Sequence, residues 1–213
     1  MHMTMERKMT SHEATIPTNR MPSASDEVNH RVANQLQLIA ALISVEARTV
    51  VDAGTLGVLE RTRQRIVAVG AVHRQLYVGS RSEVDLGEYL EDLGEQLSRT
   101  CGPQRLVGID ADTVPVTADV ATAFGILATE LITNACKHAY GVDEPGDIFV
   151  LLRRRPDGAY RFTVEDRGGG SRTPGRQAGL GSRLIHATVA KLDATAVWED
   201  AKPGTRFRMD VRF

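Results

Sequence analysis

The residues with the most chemical potential lie in three short segments of the second half of the chain. Glu130-Leu-Ile-Thr-Asn134-Ala-Cys-Lys137-His138-Ala-Tyr140 sits in a run of helical periodicity. Glu130, Asn134, Lys137 and His138 stand three, four or eight positions apart and so share one helix face. An acid, an amide, an ammonium and an imidazole are costly to bury against apolar core, and a polar ligand explains them better. Asn134 can offer an oxygen to magnesium, which prefers oxygen ligands and keeps waters and phosphates in its shell. Glu130 can orient a metal-bound water, and Lys137 can meet a phosphate.

The second segment, Asp166-Arg-Gly168-Gly-Gly170, follows a strand pattern. A carboxylate at a strand end can accept a hydrogen bond from an exocyclic amine such as that of adenine. Its glycines permit close backbone approach to a ligand. The third, Gly179-Leu180-Gly181-Ser-Arg183, opens a helix whose N–H groups suit phosphate. Residues 171–178 between them read as a short lid, flanked by Arg172, Arg176 and Arg183. Each segment alone is weak. Their order, an acid/amide helix, a hairpin, DxGxG, a short loop, GLG and two strands, resembles the ATP-binding domain of histidine kinases and gyrase-type ATPases. The resemblance makes 130–140 an N box, 166–170 a G1 box and 179–181 a G2 box. It implies ATP, with magnesium on Asn134 and adenine on Asp166.

A further candidate is His30 in Asn29-His30-Arg31-Val-Ala-Asn34-Gln-Leu36-Gln37. This resembles the HRxxNxLQ signature of HisKA_2-type sensor histidine kinases, which are related to the HWE group. The segment 65–77, with Arg65, Ile66, Val72, His73, Leu76 and Tyr77, resembles the RIxAxxxVHxxLY helix of the same family. The resemblance implies ATP-dependent phosphorylation of His30 and transfer to an aspartate of a response-regulator receiver domain. Glu27, one turn before His30, is a candidate base. Asn34, one turn after it, can orient a water for dephosphorylation. His73 reads as structural, and His186 as solvated. Two other readings share these features: a phosphotransferase that relays phosphoryl groups without ATP, and an anti-sigma-factor-like ATP-binding regulator. The intact glycines, Asn134 and Asp166 oppose the first. The second lacks a His30 hairpin.

The elements that must position these groups follow from periodicity. Val28, Val32, Leu36, Ile39, Ile43 and Ala47 recur at helical spacing, as do Leu56, Leu59, Ile66, Val69, Val72 and Leu76. A break over 49–54 folds the two into an antiparallel hairpin. Nothing in that segment covers its apolar stripe, so pairing of two hairpins into a four-helix bundle predicts a homodimer. A helix over 85–97, a strand over 105–109 and a long helix over 117–140 follow. Strands at 148–154 and 160–165 flank Pro156-Asp157-Gly158, a turn signal. A helix over 179–192 and strands at 194–198 and 205–213 close the chain. The expected fold class is α+β, a helical hairpin and then an α/β sandwich. Residues 1–24 read as a flexible tail, 25–80 as the hairpin and 85–213 as the ATP-binding domain.

Composition sets the outer bounds. The chain has 213 residues, 42% hydrophobic and 25% charged, enough for a packed core. A formal net charge of -1 offers no basic surplus for nucleic acid. Arg153–Arg155 reads as a solvated strand end. No apolar run approaches the ~20 residues of a membrane span. Cys101 and Cys136 fit neither a zinc spacing nor a CxxC pair. They read as isolated thiols suited to a cytoplasmic protein, with Cys136 a small core residue.

Overall fold

In the computed structural model, residues 24–79, 83–141, 144–169 and 180–213 are described. Two long helices come first, α1 (Ala24–Ala47) and α2 (Ala53–Gly79). They cross closely: a Cβ on Gly70 would sit 3.5 Å from Leu36 Cβ. A short strand β1 (Val84–Asp85) leads to α3 (Leu86–Cys101), whose N-cap Asp85 accepts from Gly87 N–H (2.9 Å) and Glu88 N–H (3.2 Å). This satisfies two of the orphan donors that every helix start leaves. Then come β2 (Arg105–Ala111), β3 (Pro115–Val116), α4 (Ala118–His138) capped by Thr117, β4 (Gly146–Arg154) and β5 (Tyr160–Asp166). The chain closes with α5 (Leu180–Lys191), β6 (Thr195–Asp200) and β7 (Thr205–Val211). These elements match the expected ones, apart from the two-residue strands β1 and β3, which pair antiparallel and are too short to leave a period.

The main sheet has the order β2-β4-β5-β7-β6. Only β2 and β4 run parallel; the other pairs are antiparallel. The parallel pair is joined by a crossover that contains α4, as parallel neighbours require. One face of the sheet carries Ile148, Val150, Leu152, Phe162, Val164, Phe207, Met209 and Val211, all buried under the helices. Phe124 of α4 meets Phe162 edge-on at 5.3 Å. The opposite face is a lattice of compensating charges. Arg155 and Arg161 bond Asp210 (both 2.8 Å), Arg208 bonds Glu199 (2.7 Å), and Arg153 bonds Asp110 and Asp112. Arg153 and Arg155 are thus neutralised within the sheet.

Two expectations change. First, the hairpin stripe is half covered from within the chain. Ala68, Ala71, Val72 and Leu76 of α2 join the core with Tyr89, Leu93 and Phe124, whereas α1 leaves Val28, Leu38, Leu42 and Val45 exposed. Second, Cys101 and Cys136 are not isolated thiols. They form a disulfide between the last residue of α3 and α4, with Cα atoms 5.5 Å apart. Their 35-residue separation hid the pairing, because connectivity is set by packing rather than spacing. The bond removes the support those thiols lent to a reducing compartment. Among the described residues, no helix is long and apolar enough to cross a membrane.

Candidate active site

The polar face of α4 is where the elements converge. Glu130 is almost fully buried, and its Oε1 accepts from Arg65 Nε of α2 at 2.6 Å. Its Oε2 is buried with no partner among the described residues. The start of α5 comes to this oxygen: a Cβ on Gly181 would lie 2.8 Å from Glu130 Oε2. Glycine there lets the helix opening approach the acid. One turn on, Thr133 donates to Gln64 Oε1 (3.2 Å), and Gln64 Nε2 donates to Thr100 Oγ1 of α3 (3.3 Å). A single α2 glutamine therefore ties α3 to α4. Asn134 is half-buried, and Lys137 and His138 are exposed. Partial burial, and then the nearby Arg61 charge, lower the Lys137 pKa below the ordinary lysine value.

Asp166 ends β5 on the helix-covered side of the sheet. Its Oδ1 accepts from Gly168 N–H (3.1 Å) and from Thr205 N–H (3.3 Å). Burial pushes its carboxyl above the usual carboxylate value, and the two N–H groups offset part of that. Gly168 lies against the end of α4, where a Cβ would stand 1.9 Å from Ala139 O. No other residue fits there without moving the backbone. Tyr140 braces the same corner: its hydroxyl donates to Asp147 O (2.6 Å) and accepts from Arg167 N–H (2.9 Å). The Arg105 guanidinium covers the Tyr140 ring at 5.1 Å.

Glu130 with Gly181, and Asp166 with Gly168, are thus gathered at α4. Leu180 is exposed at the α5 start. Gly170, Gly179, Arg172, Arg176, the lid over 171–178 and the tail lie outside the described residues. Arg65 and Tyr140 stand in the sequence only as members of the 65–77 and 130–140 motifs, without the contacts they make here. Gln64 and Arg105 are fixed by tertiary contacts that leave no local pattern.

The phosphoacceptor candidate stands apart. His30 is exposed on α1, and Asn34 Nδ2 lies 3.4 Å from its Nε2. An amide donating to Nε2 leaves the lone pair on that nitrogen. Glu27 is exposed and ion-paired with Arg31. His73 Nδ1 lies 3.2 Å from Asn29 Oδ1, so that imidazole bonds across the hairpin. The main packing of α1 is against α2, and it is α2 that packs against α4. Among the described residues, no cluster of three or more His, Cys, Asp or Glu side chains could hold a metal by itself.

Known proteins resemble this chain in sequence and in fold. The chain is 27% identical over 195 residues to blue-light-activated histidine kinase 2 of Erythrobacter litoralis, covering 87% of this chain and 56% of that protein. It is 26% identical over 203 residues to the sensor histidine kinase PdtaS of Mycobacterium tuberculosis, covering 92% of this chain and 39% of that one. It therefore spans about half or less of the length of these relatives. The solved histidine kinase domain of the Erythrobacter litoralis blue-light activated kinase has the same fold, with a TM-score of 0.65 at 24% identity over 88% of this chain and 91% of that one. The HisKA_2 histidine kinase family profile matches residues 27–101, from Glu27 through the hairpin to the end of α3. With a histidine-bearing hairpin, a mixed sheet and a polar α4 corner in that order, the chain is similar to sensor histidine kinases, and its residues 27–101 match the HisKA_2 histidine kinase model.

Proposed function

We propose that this chain binds Mg-ATP at the α4 corner, transfers the terminal phosphoryl group to His30 and passes it to an aspartate of a response-regulator receiver domain. The observation that carries this is the gathering of Glu130, Gly181, Asp166 and Gly168 around α4, in contact through Arg65 with a hairpin that also bears the His30–Asn34 pair. The HisKA_2 histidine kinase match over 27–101 supports use of ATP.

Each residue has a distinct task. Asp166 Oδ2 accepts from the adenine amine, while Oδ1 is occupied by the Gly168 and Thr205 N–H groups that orient the carboxylate. The α5 opening at Leu180 and Gly181 offers N–H groups to phosphate oxygens. Lys137 and His138 add positive or donor groups at the same end of α4. Asn134 supplies an oxygen to magnesium, and the unpartnered Glu130 Oε2 suits a metal-bound water. Magnesium, when bound, spreads the charge of the transferring group. A ring nitrogen of His30 attacks the terminal phosphorus in line. Neutral imidazole is a competent nucleophile near pH 7.

Arg65 occupies Glu130, and α1 packs on α2 rather than on α4. Transfer to His30 therefore requires the hairpin to shift over α4 and release Glu130. The exposed apolar residues of α1 suit a second copy of the hairpin, giving a homodimer. In this reading 25–80 is the phosphotransfer unit, 85–213 the ATP-binding unit and 1–24 a tail.

The test is acid-labile labelling from γ-labelled Mg-ATP. Wild type should label, and His30→Gln should not. Labelling that survives His30→Gln moves the acceptor, with His73 next in line. Asp166→Asn should lose nucleotide binding by ~10-fold or more, the scale of one charge-assisted hydrogen bond. It should not unfold the protein. A carboxyl whose folded pKa exceeds its unfolded value subtracts from stability at neutral pH, and that penalty vanishes only below the unfolded value of 3.8. Asp166→Asn removes the penalty, so its melting temperature should stay level or rise while affinity falls.

A further inference from the structure

The disulfide lies at the joint on which the site depends. Cys101 ends α3 and follows Thr100, which accepts from Gln64 of α2. Cys136 lies on α4 three residues after Thr133, which donates to the same Gln64. One glutamine and one disulfide therefore tie α2, α3 and α4 together within a single turn of each. Cys136 is also two residues beyond Asn134 and one before Lys137. Positions i and i+2 point to different sides of a helix, so the bond grips the N-box helix from behind its ligand face. Both cysteines are half-buried at the edge of the core rather than sealed inside it.

We propose that Cys101 and Cys136 form a thiol–disulfide exchange site that sets how firmly α4 is fixed, and through it nucleotide affinity and hairpin docking. The co-reactant is a low-molecular-weight disulfide of the glutathione class. One thiolate attacks that disulfide and expels a small thiol; the second attacks the mixed disulfide and expels another. The Cys101–Cys136 bond forms, the reagent S–S bond breaks, and two protons pass from the protein thiols to the two small thiols. Reduction reverses each step. With the bond closed, the last turns of α3 and α4 move as one body, and Asn134 and Lys137 are pre-placed for a nucleotide. With it open, the Gln64 bridge still joins α3 to α4, beside the Arg65–Glu130 pair that joins α2 to α4. The effect on affinity rests on the nucleotide site proposed above; the bond and its mechanical effect do not.

The full chain, equilibrated in glutathione buffers of different ratio, provides the test. Maleimide mass tagging should show Cys101 and Cys136 losing their thiols together and within one chain. Amide exchange over 60–68 and 130–139 should slow by at least ~5-fold in the disulfide form, the lower bound of ordinary site-to-site coupling. Mg-ATP should bind more tightly to that form by a similar ~5-fold factor. The double variant Cys101→Ser/Cys136→Ser should behave as the reduced protein in every buffer. Two thiols that persist in oxidised glutathione would overturn the proposal. So would equal amide exchange in the two forms, or equal affinity for bound ATP. If neither form binds ATP, the nucleotide reading fails and the exchange rates alone decide for or against the switch.

Discussion

The two arms of the hairpin, α1 and α2, are close in length at 24 and 27 residues and share the same kind of apolar repeat, yet they lead different structural lives. α2 gives Ala68, Ala71, Val72 and Leu76 to the main core, and its Ala68 carbonyl accepts from the buried Tyr89 hydroxyl at 3.0 Å. It also sends Gln64 and Arg65 to α4. Among its described side chains, α1 buries only the hydrophobic residues Ala33 and Ala40 and exposes Val28, Leu38, Ile39, Leu42 and Val45. The arm that carries His30 is therefore attached to the sheet-bearing half of the chain by way of its twin. Residues 25–80 look like one unit in sequence, but half of that unit is energetically part of the next. Under the proposed function this suits the transfer, since α1, which carries His30, is held less firmly than α2.

The sharpest way to break the contrast is at Arg65. Arg65→Ala leaves the Glu130 carboxylate buried without its cation, and removing one member of a buried pair costs about 3–5 kcal/mol. Glu130 has 2% of its side chain exposed and Arg65 17%, so solvent gives little relief. Replacing both by leucine should recover most of the loss in urea unfolding, because no bare charge remains. A cost under ~1 kcal/mol for Arg65→Ala, the scale of a surface pair, would mean that α2 is not fastened through this contact. The exposed counterpart on α1 is Arg31, and Arg31→Ala should change stability by no more than ~0.5 kcal/mol.

Packing gives the next largest effect. Leu76→Ala should cost about 2–5 kcal/mol, the range for truncating a buried leucine to alanine. Leu42→Ala, at a residue 57% exposed, should leave unfolding of the isolated chain within ~0.5 kcal/mol. Its effect should appear instead in sedimentation, as weaker self-association. Equal unfolding costs at the two sites would erase the distinction between the arms. A monomer at all concentrations, with or without Leu42, would remove the dimer.

Most of the fold was legible because its elements are long and locally consistent. α4 had a Thr117 cap and an unbroken period, and the β4–β5 hairpin had Pro156-Asp157-Gly158. The site was legible as segments but not as a geometry. Asp166 and Gly168 could be read from a strand end and a glycine run, whereas the contact of Gly168 with the Ala139 carbonyl joins residues 29 positions apart. The Arg65–Glu130 pair spans 65 positions. Such contacts depend on how helices are laid over the sheet, which periodicity does not encode. The covered stripe of α2 was misjudged for the same reason: an amphipathic pattern states that a face will be buried, not by what. The cysteines were read one at a time, and their meeting is a property of the α3–α4 crossing.

The smallest expected effect concerns His73, where α2 meets α1. Its Nδ1 faces Asn29 Oδ1 across the hairpin, and partial burial lowers its pKa below the usual 6.5. An imidazole whose folded value is the lower one stays neutral in the native hairpin while the unfolded chain already takes up a proton. Between the folded value and 6.5, then, the unfolded state binds more protons, and stability must fall as pH falls. The loss begins near the unfolded value and is complete below the folded one. Because His73 joins α1 to α2 and not α2 to the core, acidification should loosen α1 first. Amide exchange over 27–47 should quicken on passing from pH 7 to the region below 6.5, while 64–76 stays protected. His73→Gln keeps a side-chain N–H for Asn29 and has no charge to gain, so it should flatten that pH dependence. If both arms loosen together in wild type, the hairpin is a single cooperative unit, and α1 is no freer to move than the α2 that anchors it.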